Sequence, residues 1–543
     1  MKDLPTDIGT FSTIIENDYL YVDKTEYIYK MAKPGKKYFL SRPRRFGKSL
    51  LVSTLKELYK GNKKLFKDLY IYDKWDWSKK FPVLHLDMSD LEYDSIDQLK
   101  LSLHELVDMF ALKFSVNLNN KTLKLKFSEL LMQIYSNYGQ KVVVLIDEYD
   151  KAILDNMTKS TILSAVEIED FDNTADLELV EEIRKELNNF YGVLKSSDKL
   201  LEFVFLTGVS KFSKASIFSG LNNLTDLTLN QNFSCICGYT QEDLETIFKD
   251  YLVSFSNDNN ISCDELLVLI KNWYDGYSWD GSNRLYNPYS ILSFFTKGEF
   301  GNFWFESGTP SFLMDFVRNN KSTNILFDKN MSFSGDFPTF IFDKLDFKTL
   351  LLQTGYLTIR EKYAKPGRLT NYKLVIPNKE VNDSLYNSII EEFSDDDSLD
   401  VSQLASMFLK AIKSCDNKNL QIVFDNLVDS VPSILFGKVK KDMRESNFHI
   451  WFLSWFKLMG FFVIGEIPTS DGYMDAVLKK DNLIIVCEIK YSLDKDLDKL
   501  AQDAISQIYD NNYYSPYTDC DVVLLGVAFG DREVKSIIKP LKQ

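Results

Sequence analysis

Long uncharged apolar runs are missing from this 543-residue chain. The nearest, Phe452 to Ile464, is short and holds Lys457, so no segment reads as a membrane-spanning helix. The first residues, Met-Lys-Asp-Leu-Pro-Thr-Asp, lack the apolar core of a secretion signal. Cysteine is scarce and scattered, at 235, 237, 263, 415, 487 and 520. Cys235-Ile-Cys237 has neither zinc-ribbon nor thioredoxin spacing, so free thiols in a reducing cytoplasm are expected. Only three histidines occur, His85, His104 and His449, and they do not cluster, which argues against a histidine-rich zinc site. An overall basic excess is also missing. Net charge is −14, the wrong sign for a simple basic nucleic-acid binder.

What is present is a large, ordinary core. A hydrophobic fraction of 45% with 26% charged residues describes a globular protein, and its length implies about two to four domains. The charge is unevenly spread. Between Lys24 and Lys80 stand 17 Lys and Arg against 5 Asp and Glu. Such a block suits a polyphosphate or a nucleic-acid backbone, while a solvated helical face accounts for most lysines beyond Lys56.

The first third alternates strands and helices. Strands are expected at Lys37–Leu40, Val83–Asp87, Val142–Ile146 and Leu201–Leu206, and helices at Leu50–Tyr59 and Asp94–Leu112. Strands without polar alternation are buried on both faces, which indicates a mostly parallel sheet covered by helices. Residues 165–187 read as an acidic, helix-prone insertion. From about 240 the pattern turns helical, with capping-box-like starts at Thr240 and Ser262. Trp273 to Tyr289 is turn-rich, and Glu391 to Asp400 is the best linker candidate. Helices then run from Val401 to about Lys457, before a compact strand-rich end. The expected divisions are 1–235, a mainly helical 236–400, and 401–543.

The most informative segment is Ile484-Ile-Val-Cys-Glu-Ile-Lys490. Strand side chains alternate, so Glu488 and Lys490 share a face. Asp475 lies upstream, in a turn entering a partner strand. Two carboxylates and a lysine at a strand end form a magnesium site for phosphodiester cleavage, because a hard cation prefers oxygen and an ammonium offsets developing charge. A solvent-facing ion pair fits the triplet equally well. Glu533-Val534-Lys535 has the same spacing and reads as a loop.

Phe46-Gly47-Lys48-Ser49 lies between a strand and a helix, as in a nucleotide-binding P-loop. The usual first glycine is replaced by Arg42, followed by Pro43, which has no amide proton. Arg44 and Arg45 compensate with charge. The strand Val142–Ile146 ends on Asp147 and Glu148. An ATPase uses such a pair to hold magnesium and polarise water; a helix N-cap is the plainer reading. Thr207 and Ser210 end a later strand and suit a phosphate sensor or an ordinary turn.

Taken together, these segments resemble a bacterial family of AAA-ATPase-like proteins with a C-terminal PD-(D/E)xK nuclease superfamily domain. The likeness runs through Tyr21-Val-Asp-Lys-Thr25, Phe39 to Ser49, Ile71-Tyr-Asp-Lys-Trp75, Leu145 to Asp150 and Thr207 to Ser213. It continues through Trp273 to Tyr277, Tyr286 to Tyr289, Gly472 to Asp475, Glu488 to Lys490, and Gln507-Ile508 with Tyr513. It makes the missing P-loop glycine a family trait. It implies an α/β fold: a P-loop NTPase parallel sheet with a helical lid region, then a restriction-endonuclease-like α/β/α domain.

The resemblance implies that Asp475 and Glu488 are metal ligands, Lys490 the catalytic lysine and Gln507 a helix-borne partner, with Glu466 an additional acidic position. Gly47, Lys48, Ser49, Asp147, Arg44, Arg45 and Thr207 would bind ATP, with Ser49 and Asp147 on its Mg²⁺ and Glu148 catalytic. The partners expected are a nucleotide and a nucleic acid, DNA foremost, with no membrane and an oligomer allowed. Two functions follow: an ATP-regulated, Mg²⁺-dependent nuclease, or a nucleotide-dependent switch or scaffold whose nuclease-like domain binds without cutting. Residues 438–542, with 14 basic and 16 acidic side chains, show no DNA-binding excess and lean toward the second.

Overall fold

A computed structural model describes residues 1–156, 174–211, 223–306, 331–335, 347–392, 401–429, 441–469, 472–517, 520–530 and 533–541. These form two compact units, one comprising Met1–Phe312 and Ser332–Val381, the other built on Asn382–Gln543.

The first unit is organised by a five-stranded sheet of β1 (Lys36–Ser41), β2 (Val83–Asp87), β3 (Val142–Asp147), β4 (Leu201–Gly208) and β5 (Thr225–Asp226), in the order β2-β3-β4-β1-β5. All its pairings are parallel. Every residue of β3 is buried, which explains its uninterrupted Val-Val-Val-Leu-Ile run. Helices α1 (Lys48–Lys60), α2 (Ile96–Lys113), α3 (Leu123–Tyr138) and α4 (Thr174–Ser196) make the crossovers. Part of the expected insertion, 165–173, lies outside the described residues; the rest is in α4.

A helical segment follows: α5 (Gln241–Thr246), α6 (Lys249–Asn259), α7 (Cys263–Tyr274) and α8 (Pro288–Lys297). Capping boxes at Thr240–Asp243 and Ser262–Glu265 start α5 and α7. Leu244, Phe248, Leu266, Ile270, Tyr274 and Phe294 form its core. The expectation of a mainly helical 236–400 overlooked a small sheet, β6 (Ser332–Ser334), β7 (Thr358–Tyr363) and β8 (Asn371–Val375), ordered β6-β8-β7. Thr358-Ile-Arg-Glu-Lys-Tyr has too few apolar residues to show a period of two, although Pro366-Gly367 marks the turn. Helix α9 (Phe347–Thr354) precedes β7, and α10 (Lys379–Glu392) ends the linker candidate's described part, since 393–400 lie outside the described residues.

The second unit holds α11 (Val401–Ser414), α12 (Asn417–Asp429), α13 (Lys441–Leu458), β9 (Phe462–Thr469), β10 (Gly472–Lys480), β11 (Leu483–Tyr491), α14 (Leu497–Asp510), β12 (Asp521–Phe529) and β13 (Val534–Pro540). The sheet runs β13-β12-β11-β10-β9, with β11 and β12 parallel and the rest antiparallel. The parallel pair requires a crossover, and α14 supplies it. Gly526, mid-strand in β12, lets α14 approach closely: a Cβ there would stand 2.9 Å from Ile505 Cγ1. The apolar stretch Phe452 to Ile464 divides into the end of α13 and the start of β9, separated by Gly460. Among the described residues no helix is long and apolar enough to cross a membrane. Val534 and Lys535 open strand β13, correcting the expected loop, because Val534, Ser536 and Ile538 alternate inward.

Candidate functional site

The first constellation sits where β1 meets α1. Arg42 occupies the place of the missing glycine and is fully buried. Its guanidinium lies 4.1 Å from the Trp279 ring centroid and donates to the carbonyls of Ser41 (2.8 Å) and Thr228 (3.1 Å). Burial lowers its pKa to about 10, still fully charged at neutral pH. Arg42 therefore anchors the root of the loop and leaves phosphate contact to later residues. Phe46 packs edge-on against Tyr277 and Trp279. Arg45 and Gly47 both take positive φ, +62° and +89°, giving the loop the tight curl that turns backbone amides toward an anion.

Lys48 Nζ donates to the Pro43 carbonyl at 3.1 Å and lies 3.9 Å from Glu148 Oε1. Pro43 thus contributes its carbonyl, although it has no amide to offer. Arg45 pairs with Asp7 at 2.8 Å and stacks on Tyr289 at 4.5 Å. The Arg44 carbonyl accepts from Trp304 Nε1 at 3.3 Å. Asp147, at the end of β3, is buried. Burial pushes Asp147 up to about 6, helped by Glu148 and Asp87 and opposed by Ser49 and Lys48. Beside the loop is a cavity of about 440 Å³, lined by Arg44, Arg45, Gly47, Lys48, Ser49 and Glu148 among others. Its volume and its cationic, amide-rich wall fit a nucleotide phosphate chain.

The second constellation lies in the sheet of the second unit. Asp475 is in β10, Glu488 and Lys490 are in β11, and Ala476 stands opposite Cys487. This register places the two carboxylates side by side. The Ile489 amide donates to Asp475 Oδ2 at 2.7 Å. Lys490 Nζ donates to Glu488 Oε1 (2.8 Å) and to Gln507 Oε1 (2.6 Å), the latter reaching over from α14. Glu488 is 2% exposed, and its Oε2 is buried without a hydrogen-bond partner. Burial, then the Asp475 charge, pushes Glu488 up to about 7 against the pull of Lys490. Burial raises Asp475 too, opposed by the Ile489 amide and Lys490. A buried, orphaned carboxylate oxygen beside a second desolvated carboxylate fits a divalent cation. No group of three or more His, Cys, Asp or Glu suited to a metal occurs among the described residues, so among these Asp475 and Glu488 are the carboxylates that could hold one. Mg²⁺ commonly takes one or two carboxylates, completing its shell with water and phosphate.

Residues 5–218 match the family described as "Predicted AAA-ATPase", and residues 443–538 match the PD-(D/E)XK nuclease superfamily. A protein of Azotobacter chroococcum mcd 1, described as "Uncharacterized protein in vnfD 5'region", is 34% identical over 540 residues, covering 99% of this chain and 98% of its own. The chain belongs to the AAA-ATPase-like family with a C-terminal PD-(D/E)XK nuclease superfamily domain.

In this AAA-ATPase-like protein the parallel sheet carries the P-loop, and the mixed sheet carries the nuclease-type residues. Asp475, Glu488, Lys490 and Gln507 come together as one group. Gly47, Lys48, Ser49, Asp147 and Glu148 come together as another, with Arg44 and Arg45 at the cavity wall. Thr207 does not join them. It is fully buried, its hydroxyl donates to the Leu40 carbonyl at 2.8 Å, and it is spent on joining β4 to β1. Ser210 is likewise buried, its amide donating to Asp150 at 2.6 Å. The side chain of Glu466 lies outside the described residues. Sequence reading missed Asp87, Ser89, Lys151 and Tyr289, which line the cavity of the AAA-ATPase-like unit. Asp87 closes a strand whose end was legible and pairs in register with Asp147, but it belongs to no motif.

Proposed function

We propose that this protein binds and hydrolyses ATP and couples that activity to Mg²⁺-dependent cleavage of nucleic-acid phosphodiesters, DNA foremost. The observation that carries the reading is the buried, unpartnered Glu488 Oε2 beside Asp475, with Lys490 fixed between Glu488 and Gln507. Asp475 and Glu488 would hold a divalent cation, which supplies Lewis-acid chemistry at a phosphate. The Ile489 amide fixes the Asp475 carboxylate. Lys490 offers an ammonium for the charge that develops on the phosphate, and Gln507 holds it in position. In the first unit, Lys48 reaches the outer phosphates, Ser49 and Asp147 suit the nucleotide's magnesium, and Glu148 orients the attacking water. Residues 1–235, 236–400 and 401–543 would serve as ATPase, lid and nuclease parts. All six cysteines are free, which suits a reducing cytoplasm.

The test incubates the purified chain with plasmid, linear duplex, single-stranded DNA and RNA, with Mg²⁺, with and without ATP. Cleavage is expected to vanish in Asp475→Ala and Glu488→Ala and to respond to ATP only while Lys48 is intact. Cutting that persists in both carboxylate variants would remove the site assignment. A second reading, a nucleotide-dependent switch that binds without cutting, is favoured by the balanced charge of residues 438–542. It gains if calorimetry shows ATP binding while no substrate is cut under any condition.

A further inference from the structure

The P-loop absorbs only part of the basic block seen in the sequence. Lys56 and Lys60 lie one turn apart on α1, and Lys113 closes α2. His85, in the edge strand β2, feels all three charges. Its Nε2 is buried and has no hydrogen-bond partner. Gly61, at φ +76°, ends α1 and leaves room for a fourth lysine: a Cβ there would come 2.8 Å from Lys80 Cγ. Among the described residues Asp87 acts on His85, and the carboxylate beside the lysines, Glu57, is buried and already engaged by Lys60 (2.9 Å) and by Asn62. Among the described residues Lys56 and Lys113 have no ion pair or hydrogen bond. Partial burial first, then the neighbouring ammonium groups, holds both below the ordinary lysine range.

Three ammonium groups are crowded this way around a single partner: Lys60 has Glu57, while Lys56 and Lys113 have no counterion among the described residues. None of the three lysines lines the nucleotide cavity, so a nucleotide held at Lys48 leaves Lys56 and Lys113 uncompensated. The nuclease-like region has no basic excess of its own, so backbone contacts must come from elsewhere in the chain. Lysine is a hydrated point charge that meets phosphates without reading sequence. We propose that Lys56, Lys60 and Lys113 form a contact surface for the phosphate backbone of duplex DNA, separate from the nucleotide cavity. This rests on the reading of the protein as one that acts on nucleic acid.

The experiment titrates a labelled DNA duplex with the full chain over a range of salt concentrations. Combining Lys56→Gln, Lys60→Gln and Lys113→Gln is expected to flatten the slope of log affinity against log salt by roughly 2–3, at about 0.9 per lost phosphate contact, and to weaken binding at least about tenfold. ATP affinity stays at the native value, and the corresponding triple Lys→Arg variant keeps the native slope. An unchanged slope in the glutamine variant overturns the proposal. So does a native chain that binds inorganic tripolyphosphate at these lysines but no duplex. Glu488→Gln separates the two readings. If the surface alone is wrong, the glutamine triple variant still binds and cuts, and cutting still needs Glu488. If the nuclease reading alone is wrong, duplex binds through the lysines and is never cut.

Discussion

Gly208 abuts the Asp150 carboxylate so closely that a Cβ on it would overlap Oδ1 and stand 2.7 Å from Tyr149 Cδ1. Asp150 in turn accepts from the Ser210 amide at 2.6 Å, and the Tyr149 amide donates to the Thr207 carbonyl at 3.1 Å. The turn that carries Glu148 is thereby locked onto the end of β4. Gly208→Ala must displace Asp150 or the turn, at a cost of roughly 1–3 kcal/mol. Urea unfolding measures that cost. Because Glu148 moves with the turn, ATP turnover is expected to fall further than ATP affinity. A variant with native stability and turnover would show that the lock does not matter.

Arg42→Gly recreates the usual first glycine of a P-loop, and on motif grounds it would be harmless. The structure predicts the opposite. The guanidinium satisfies the carbonyls of Ser41 and Thr228 and covers Trp279, all inside the unit. Removing it strands buried acceptors and opens a cavity, for a loss of roughly 3 kcal/mol or more. Thermal unfolding with and without ATP decides the matter: the variant should melt earlier in both conditions.

These two cases show where the sequence was readable. Val142–Ile146 announced itself because a doubly covered parallel strand must be apolar throughout. Glu488, Lys490, Gly47 and Lys48 stood out as candidates because the chemistry proposed for them depends on local spacing. The anchoring role of Arg42 was not legible, since its partners Trp279 and Thr228 lie far away in sequence. Thr207 was assigned to the nucleotide although β1–β4 pairing consumes its hydroxyl. Asp87 reaches the cavity only through strand register, and the short strands β6 to β8 are too polar to show a period.

Glu488 sets a pH dependence with a definite sign. Its folded pKa is pushed from 4.5 to about 7, so the folded state holds its proton longer than the unfolded chain. Without a cation, that preference stabilises the fold below the unfolded value and is lost as pH rises toward about 7. Stability of the metal-free protein should therefore decline across that window, and Glu488→Gln should remove this contribution. A divalent cation needs the carboxylate, so Mn²⁺ affinity, followed by calorimetry, should rise with pH through about 7 in the native chain and stay flat and weak in Glu488→Gln.

The outer strand of the nuclease-like sheet offers the last prediction. Asn417 donates to the Ile538 carbonyl (3.4 Å) and accepts from the Ile538 amide (2.8 Å). Gln421, one turn on along α12, donates to the Val534 carbonyl (2.7 Å) and accepts from the Ser536 amide (3.1 Å). The two amides together satisfy the outward-facing backbone groups of β13, an edge that would otherwise template pairing with another chain. Asn417→Ala with Gln421→Ala frees four backbone groups at roughly 0.5–1.5 kcal/mol each. Unfolding should shift by about 2–6 kcal/mol, and light scattering at rising concentration should reveal self-association absent from the native chain. Asn417→Asp keeps the acceptor for the Ile538 amide but loses the donor. Its effect should be smaller than that of Asn417→Ala, an ordering that loss of helix packing alone would not produce.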